Sequence, residues 1–399
     1  MARVLFINGG SEGHINPTLG VVQELIRRGE EVVYFTAEPF RDLVEPTGAK
    51  VITFDVSTFI EAFIAGGRSF WGRVGGLLRT ADLIIPSVLE QTREQQFDYL
   101  IHDSMFGCGR LLAQILNLPA INSCTSFAMQ PEVFDGMRES LSRHVSAEEN
   151  ERARQEFLQL VDDVQAKYNV QVGSPFDIFC NPAPMTIVYT AKDFQPYGES
   201  FDESYKFIGP SLASRPHEPF DFSHVDSDHL IYISLGTVLN QAVDFYKLCF
   251  AAFSDTRYTV LLSIGRQTQL EQLGDIPANF IVRDYVPQLE VLQHAKLFIT
   301  HGGMNSANEG LYYGVPLIVI PLGSDQPIVA GRVAEVSAGI QLDKEDLTAE
   351  NLREAADRVL QDDSIRKASA EIGKSFREAG GYERAAEEIF AYKRSLGIE

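Results

Sequence analysis

Residues 285–326 read YVPQLEVLQHAKLFITHGGMNSANEGLYYGVPLIVIPLGSDQ, and they hold the densest set of ligand-gripping groups in the chain. An apolar run ends at His301-Gly302-Gly303. Two glycines let the backbone pass close to a ligand without Cβ atoms in the way. A helix starting just after them offers unsatisfied N–H groups and the positive end of its dipole, which suits a phosphate. His301, Asn305 and Ser306 add side-chain donors at the same spot. Glu309 lies one helical turn past Asn305, on the same side, and a carboxylate can accept from the hydroxyl pair of a ribose. Asp325 and Gln326 follow the next apolar run, which in a parallel sheet brings them to the same carboxyl edge. Diphosphate, ribose and a further polyhydroxylated group together outline a nucleotide sugar. A short motif such as HGG alone also fits an ordinary βαβ unit with a glycine turn, so the combination carries the reading.

The N-terminal half offers a base. His14 follows the glycine-rich turn 8–13 at the end of the first apolar run. Imidazole is the side chain most easily poised to take a proton near neutral pH, but it needs a partner to fix its tautomer. Asp103 ends another strand of the same sheet and can supply that partner. Such a pair could deprotonate a hydroxyl as it attacks a sugar anomeric carbon; the plain alternative is a structural histidine beside a turn. The same turn nearly matches a dinucleotide fingerprint, with Asn8 in place of the first glycine and Glu38 after the second strand. Alone it would point to an NAD- or FAD-linked oxidoreductase, a reading that leaves residues 285–326 unexplained. Ser234-Leu235-Gly236-Thr237 follows a strand of the second half, and Thr237 is the candidate phosphate donor there. Phe59, Phe63, Phe70 and Trp71 could line an apolar acceptor pocket or pack as core of an irregular helical insert over 57–85.

The elements that must carry these groups alternate. Strands are expected over 3–8, 31–36, 50–54, 99–102, 120–124 and 186–189, the last of its half, with a helix opening at Asn16 or Pro17 and others over 106–116 and 146–168. This is the pattern of a parallel sheet covered by helices on both faces. Proline, serine and aspartate break the periodicity over 206–228, which reads as a linker. A second series follows over 230–234, 258–264 and 280–283, then the window already described. Residues 348–396 read as helical throughout.

With 399 residues, 34 Lys and Arg against 55 Asp and Glu, the net charge is −21. That opposes nucleic acid and anionic membranes as partners. No apolar run approaches a membrane span, and the N-terminus lacks the features of a signal peptide. The four cysteines, Cys108, Cys124, Cys180 and Cys249, show no paired spacing, so thiols in a reducing cytoplasm are expected.

Taken together, these motifs resemble family 1 of the UDP-glycosyltransferases, and the similarity is nearest the bacterial macrolide and flavonoid branch of the Bacillus type. Gly13-His14-Ile15-Asn16-Pro17 resembles that family's GHxxP base motif, and Asp103 in HDSMFG falls where its orienting aspartate lies. The resemblance implies the α/β fold called GT-B, two Rossmann-like doubly wound domains facing a cleft. It implies an acceptor-binding domain over 1–208, a linker over 209–228, a nucleotide-sugar domain over 229–380, and a last helix, 381–399, packing back on the first domain. The implied reaction is inverting transfer of a hexose, with UDP-glucose as donor, to a hydroxyl of a small apolar acceptor such as a macrolide, flavonoid or other phenolic. His14 and Asp103 would be catalytic. Ser234, Gly236, Thr237, His301, Gly303, Asn305 and Ser306 would hold the diphosphate. Tyr285, where plant members carry Trp, would stack on the base, Val286 would meet it through the backbone, and Gln288 would reach base or ribose. Glu309 would take the ribose, Asp325 and Gln326 the sugar, and Phe127 would join the acceptor pocket. No permanently bound cofactor is implied. No DxD pair lies near Asp325, so metal independence is expected, with His301 and helix donors standing in for a cation. The expected state is a cytoplasmic monomer or weak dimer. A GT-B nucleotide-sugar epimerase, an NAD- or FAD-linked oxidoreductase and a protein that only binds a small apolar molecule are the alternatives.

Overall fold

The computed structural model describes residues 2–9, 11–55, 57, 60–61, 67, 69–142, 145–213, 220–223, 225–236 and 240–399. Phe59 and Phe63 of the expected pocket and Thr237 of the expected phosphate site lie outside the described residues. The chain forms two compact units. The first comprises Met1–Tyr189, Glu199–Ala213 and Gly381–Glu399; the second comprises Thr190–Gly198 and Ser214–Gly380.

In the first unit, seven parallel strands run β1 (Arg3–Ile7), β2 (Glu31–Ala37), β3 (Lys50–Phe54), β4 (Tyr99–Asp103), β5 (Ala120–Cys124), β6 (Met185–Val188) and β7 (Tyr205–Phe207). Their order in the sheet is β3-β2-β1-β4-β5-β6-β7. The central strands are short apolar runs because helices cover both of their faces. Leu5, Ile7, Val33 and Leu100 point into one buried cluster, and Val4, Phe6, Val32 and Ile101 into the other. The strand order reverses between β1 and β4, and the carboxyl ends of those two strands frame the crevice where such folds hold ligands.

Helix α1 (Glu12–Arg27) starts earlier than expected and contains Pro17. Proline gives up the N–H it would have donated to Gly13. The buried face of Ile15, Leu19, Val22 and Leu25 carries the helix through that position. His14 therefore sits in the first turn of a helix. The expected irregular insert is in large part the 23-residue helix α2 (Phe70–Thr92), capped by Ser69 and containing Pro86. Phe70 is fully buried there, edge-on to Trp71 and Phe134, and Trp71 lies against Phe157. These two rings pack in the core between helices. Four helices follow: α3 (Gly109–Leu116), α4 (Pro131–Ser142), α5 (Ala147–Tyr168) and α6 (Pro175–Cys180). Strand β6 is not the last of this unit, since β7 pairs with it inside the stretch read as linker.

The second unit carries six parallel strands: β8 (Leu230–Ser234), β9 (Thr259–Ser263), β10 (Phe280–Arg283), β11 (Leu297–Thr300), β12 (Leu317–Val319) and β13 (Gly339–Gln341). Their order is β10-β9-β8-β11-β12-β13, with the reversal between β8 and β11. Its helices include α7 (Val243–Phe253), α8 (Gln288–Leu292), α9 (Met304–Tyr312), α10 (Gln326–Glu335), α11 (Ala349–Gln361) and α12 (Asp363–Glu378). The segment Thr190–Gly198 belongs here: Thr190 donates to Asn308 at 3.2 Å, and Arg332 donates to the carbonyls of Asp193 and Phe194 at 2.6 and 2.9 Å.

The last helix, α13 (Gly381–Ser395), packs on α1 of the first unit. Ala385, Ala386 and Ile389 enter the α1 core cluster. A Cβ on Gly20 of α1 would meet the Tyr382 ring at 2.7 Å, so the absence of a side chain there permits this close approach.

Candidate functional site

Two sets of polar groups gather at strand ends, one in each unit. In the first, the Asp103 carboxylate at the end of β4 is buried, and its Oδ2 lies 2.8 Å from His14 Nδ1. A carboxylate only accepts, so Nδ1 carries the proton and the lone pair is on Nε2. The other carboxylate oxygen accepts from the Met105 amide at 2.8 Å, which fixes its orientation. Thr125, just past β5, brings its hydroxyl to 3.0 Å from the same Nδ1. Asn8 at the end of β1 donates to the His14 carbonyl at 2.8 Å. Burial, with the Asp103 charge adding to it, pushes the Tyr34 and Tyr189 hydroxyls well above the ordinary range, so both stay protonated beside the pair.

Sequence reasoning missed two contributors here. Thr125 is one. The other is Asn181, buried at the end of α6 in the left-handed conformation that asparagine tolerates best among side chains. Its amide donates to the carbonyls of Asp103 and Phe106 at 3.2 and 3.0 Å, and its oxygen accepts from the Arg110 amide at 3.0 Å. It thereby braces the loop that presents Asp103. Its place just before a proline was the only hint in the sequence. Phe127 lies half-buried two residues past Thr125. Glu38, the acid that a dinucleotide reading would need for a ribose, is already engaged by Arg41 at 3.0 Å and by the Thr53 hydroxyl.

In the second unit, β8 ends at Ser234, whose oxygen accepts from the Gly236 amide at 3.3 Å. β11 ends at Thr300, next to His301. The His301 ring lies close against two glycines: a Cβ on Gly236 would stand 2.7 Å from Cε1, and one on Gly303 2.6 Å from Nε2. Burial lowers the pKa of this imidazole to about 4, with Asp325 acting weakly the other way. It is therefore neutral at pH 7 in the free protein, with one ring N–H able to donate, and is not a fixed cation. Gly302 has φ +84°, and the Val319 side chain fills the space a Cβ would take. The N-cap of α9, which begins at Met304, is Gly303 and has no side chain to cap it, so the first turn presents backbone N–H groups to the strand edge. Asn305 and Ser306 lie in that turn. Glu309, one turn further, is buried and accepts from Gln288 Nε2 at 2.6 Å.

Asp325 precedes α10 and Gln326 opens it. The Gln326 carbonyl accepts from the amides of Leu322 and Gly323 at 2.7 and 3.1 Å, which leaves its NH2 end as the part that can face a sugar. Tyr285 is half exposed, with the Arg266 guanidinium 5.8 Å from its ring centroid, while Val286 is buried. The structure thus gathers the described donor-site candidates along the carboxyl edge of the second sheet.

The Bacillus subtilis (strain 168) protein named "uncharacterized UDP-glucosyltransferase YojK" is 36% identical over 397 residues, covering 98% of this chain and 97% of that one. The chain belongs to family 1 of the glycosyltransferases. The NDP-glycosyltransferase YjiC of the same organism is also 36% identical, over 99% of this glycosyltransferase and 98% of that protein. Residues 250–379 match the family described as the erythromycin biosynthesis protein CIII-like C-terminal domain. The crystal structure of CalG4, the calicheamicin glycosyltransferase, superposes with a TM-score of 0.84 at 28% identity, over 98% of both chains. The two Rossmann-like units are those of the GT-B fold. These relatives are transferases by name, and neither the epimerase nor the oxidoreductase alternative finds support in them.

Proposed function

We propose that this glycosyltransferase moves glucose from UDP-glucose to a hydroxyl of a small apolar acceptor, inverting the anomeric carbon without a metal ion. The observation that carries the reading is the His14–Asp103 pair at the β1/β4 strand ends, with Nδ1 protonated and 2.8 Å from the carboxylate. His14 Nε2 takes the acceptor's hydroxyl proton, and Asp103 stabilises the imidazolium that results. The acceptor oxygen forms its bond to C1 as the bond from C1 to the diphosphate oxygen breaks, and UDP leaves with that electron pair. His301, the α9 amides, Asn305 and Ser306 donate to the departing diphosphate. Glu309 binds the ribose, Asp325 and Gln326 bind the sugar hydroxyls, and Tyr285 stacks on the base.

In this reading the first unit holds the acceptor and the second the donor. With Phe70 and Trp71 packed between helices, Phe127 beside Thr125 is the described aromatic candidate best placed for the acceptor, alongside Phe59 and Phe63 outside the described residues. A macrolide acceptor is supported by the erythromycin-related family that residues 250–379 match. The free cysteines fit a reducing cytoplasm.

Incubation with UDP-glucose and a phenolic acceptor in EDTA, read by mass spectrometry and by NMR of the anomeric proton, tests this reading. A β-glucoside and free UDP are expected, and His14→Ala abolishes both. UDP release without an acceptor, or turnover that persists in His14→Ala, would refute it.

A further inference from the structure

Tyr232 lies in the middle of β8, fully buried, its ring stacked on Phe298 with centroids 4.7 Å apart. In the sequence it is one apolar residue of a strand. In the structure its hydroxyl donates to Gln288 Oε1 at 3.0 Å, and Gln288 Nε2 donates to Glu309 Oε2 at 2.6 Å. One chain of hydrogen bonds thus joins β8, the first residue of α8 and the middle of α9.

The direction of that chain is fixed by chemistry. Burial holds the Tyr232 phenol protonated, and a phenol O–H facing an amide oxygen sets which end of Gln288 points toward β8. The NH2 end then faces Glu309. A flipped amide would set its oxygen against the carboxylate, which only accepts. Held this way, Gln288 fixes the plane of the Glu309 carboxylate from one side. Without the phenol O–H, the Gln288 oxygen loses its anchor on β8, and the amide is held in this chain from the Glu309 end alone.

We propose that Tyr232 is a positioning residue for the donor: through Gln288 it orients Glu309 to accept from the ribose hydroxyls, and so makes the enzyme select ribonucleotide over 2′-deoxyribonucleotide donors. This rests on the ribose role given to Glu309 above. The effect is specific to the sugar of the nucleoside. The Ser234 side chain also hydrogen-bonds the phenol, and losing that contact affects UDP and dUDP alike, so the ratio of the two affinities is what reports the 2′-hydroxyl.

The test is calorimetric titration of the wild type and Tyr232→Phe with UDP and with dUDP. The wild type should prefer UDP by roughly tenfold, the worth of one good hydrogen bond to a charged group. In Tyr232→Phe the preference should collapse to about twofold or less through weaker UDP binding, with kcat at saturating UDP-glucose changed by no more than about threefold, because an interaction made equally in ground and transition states alters affinity alone. A purely structural role would weaken both nucleotides together and keep the ratio, and that result overturns the proposal. So does a wild type that binds both equally. A wild type that binds neither refutes the nucleotide-sugar reading itself. Gln288→Leu cuts the same chain without touching the tyrosine. It must also lose the preference, and a wild-type ratio in that variant overturns the proposal even if Tyr232→Phe does not fold.

Discussion

Asp103 meets His14 with one carboxylate oxygen and the Met105 amide with the other. That division of labour makes Asp103→Asn informative. The Met105 N–H needs an acceptor, so the asparagine oxygen stays on that side and its NH2 turns to His14 Nδ1. A donor there forces Nδ1 to accept and moves the imidazole proton to Nε2, the position from which the base must act. The variant should fold normally, bind UDP as the wild type does, and lose roughly 10²- to 10⁴-fold in kcat. Steady-state kinetics beside a UDP titration checks this. A near-normal kcat would remove Asp103 from the mechanism.

The second unit has its own sensitive contact. His301 lies close against both Gly236 and Gly303, so a methyl on either glycine meets the ring. Gly303→Ala puts a methyl within 2.6 Å of Nε2, so the imidazole must shift. UDP affinity should fall about tenfold or more, equivalent to losing at least one charge-assisted hydrogen bond. The thermal transition should change little, since the residue sits at the edge of the sheet. Calorimetric titration with UDP is the check, and unchanged affinity would take His301 away from the diphosphate.

Two buried imidazoles predict how stability varies with pH. Burial lowers His102 and His301 to about 4, from an ordinary value of 6.5. Between those values the unfolded chain binds protons that the folded chain refuses. Their contribution is therefore fully present above pH 6.5, declines as pH falls toward 4, and levels off below. Each should cost about 1.4 kcal/mol per pH unit inside that window. His102 belongs to the first unit and His301 to the second. Denaturant unfolding at a series of pH values should show the decline, and His301→Asn should flatten it in the second unit. Stability that does not change between pH 6.5 and 4.5 would contradict both assignments.

How much of this was legible depends on which residues carried it. The strands Lys50–Phe54, Ala120–Cys124, Leu230–Ser234, Phe280–Arg283 and Leu297–Thr300 end where the sequence puts them. The central ones, Leu230–Ser234 and Leu297–Thr300, are buried on both faces and read as apolar runs. Tyr205–Phe207 and Gly339–Gln341 were missed because three-residue edge strands are partly exposed and need no such run. Pro17 misplaced the start of α1, because a proline inside the second turn reads as a helix opening. The α12–α13 boundary was hidden in a tail of uniformly helical composition. At the site, Asp103 was readable because it ends a strand. Thr125 and Asn181 were not, because they stand 111 residues from His14 and 78 from Asp103 and meet them only through the fold. Tyr232 was hidden for another reason: its ring reads as a strand residue and only its hydroxyl joins the site.

Lys393 ties α13 to the rest of the first unit by an ion pair with Glu30, and both side chains are almost fully buried. The Tyr99 hydroxyl donates to the second carboxylate oxygen at 3.1 Å, and the ammonium lies 4.6 Å from the Phe390 ring centroid and 5.4 Å from that of Tyr99. The pair is saturated on both sides, so its two halves should respond unequally to being broken and being replaced. Lys393→Met leaves the Glu30 carboxylate buried with the phenol as its remaining donor in this group, at a cost of about 3–5 kcal/mol. Replacing both residues, as Lys393→Met with Glu30→Gln, removes the stranded charge and should restore most of that loss. Urea denaturation of the two single variants and the double variant measures the coupling. If the pair only decorated the surface, the single variants would cost under about 1 kcal/mol and would add. A strongly non-additive cycle would establish that the last helix is held by a buried charge pair as well as by the apolar face of Ala385, Ala386 and Ile389.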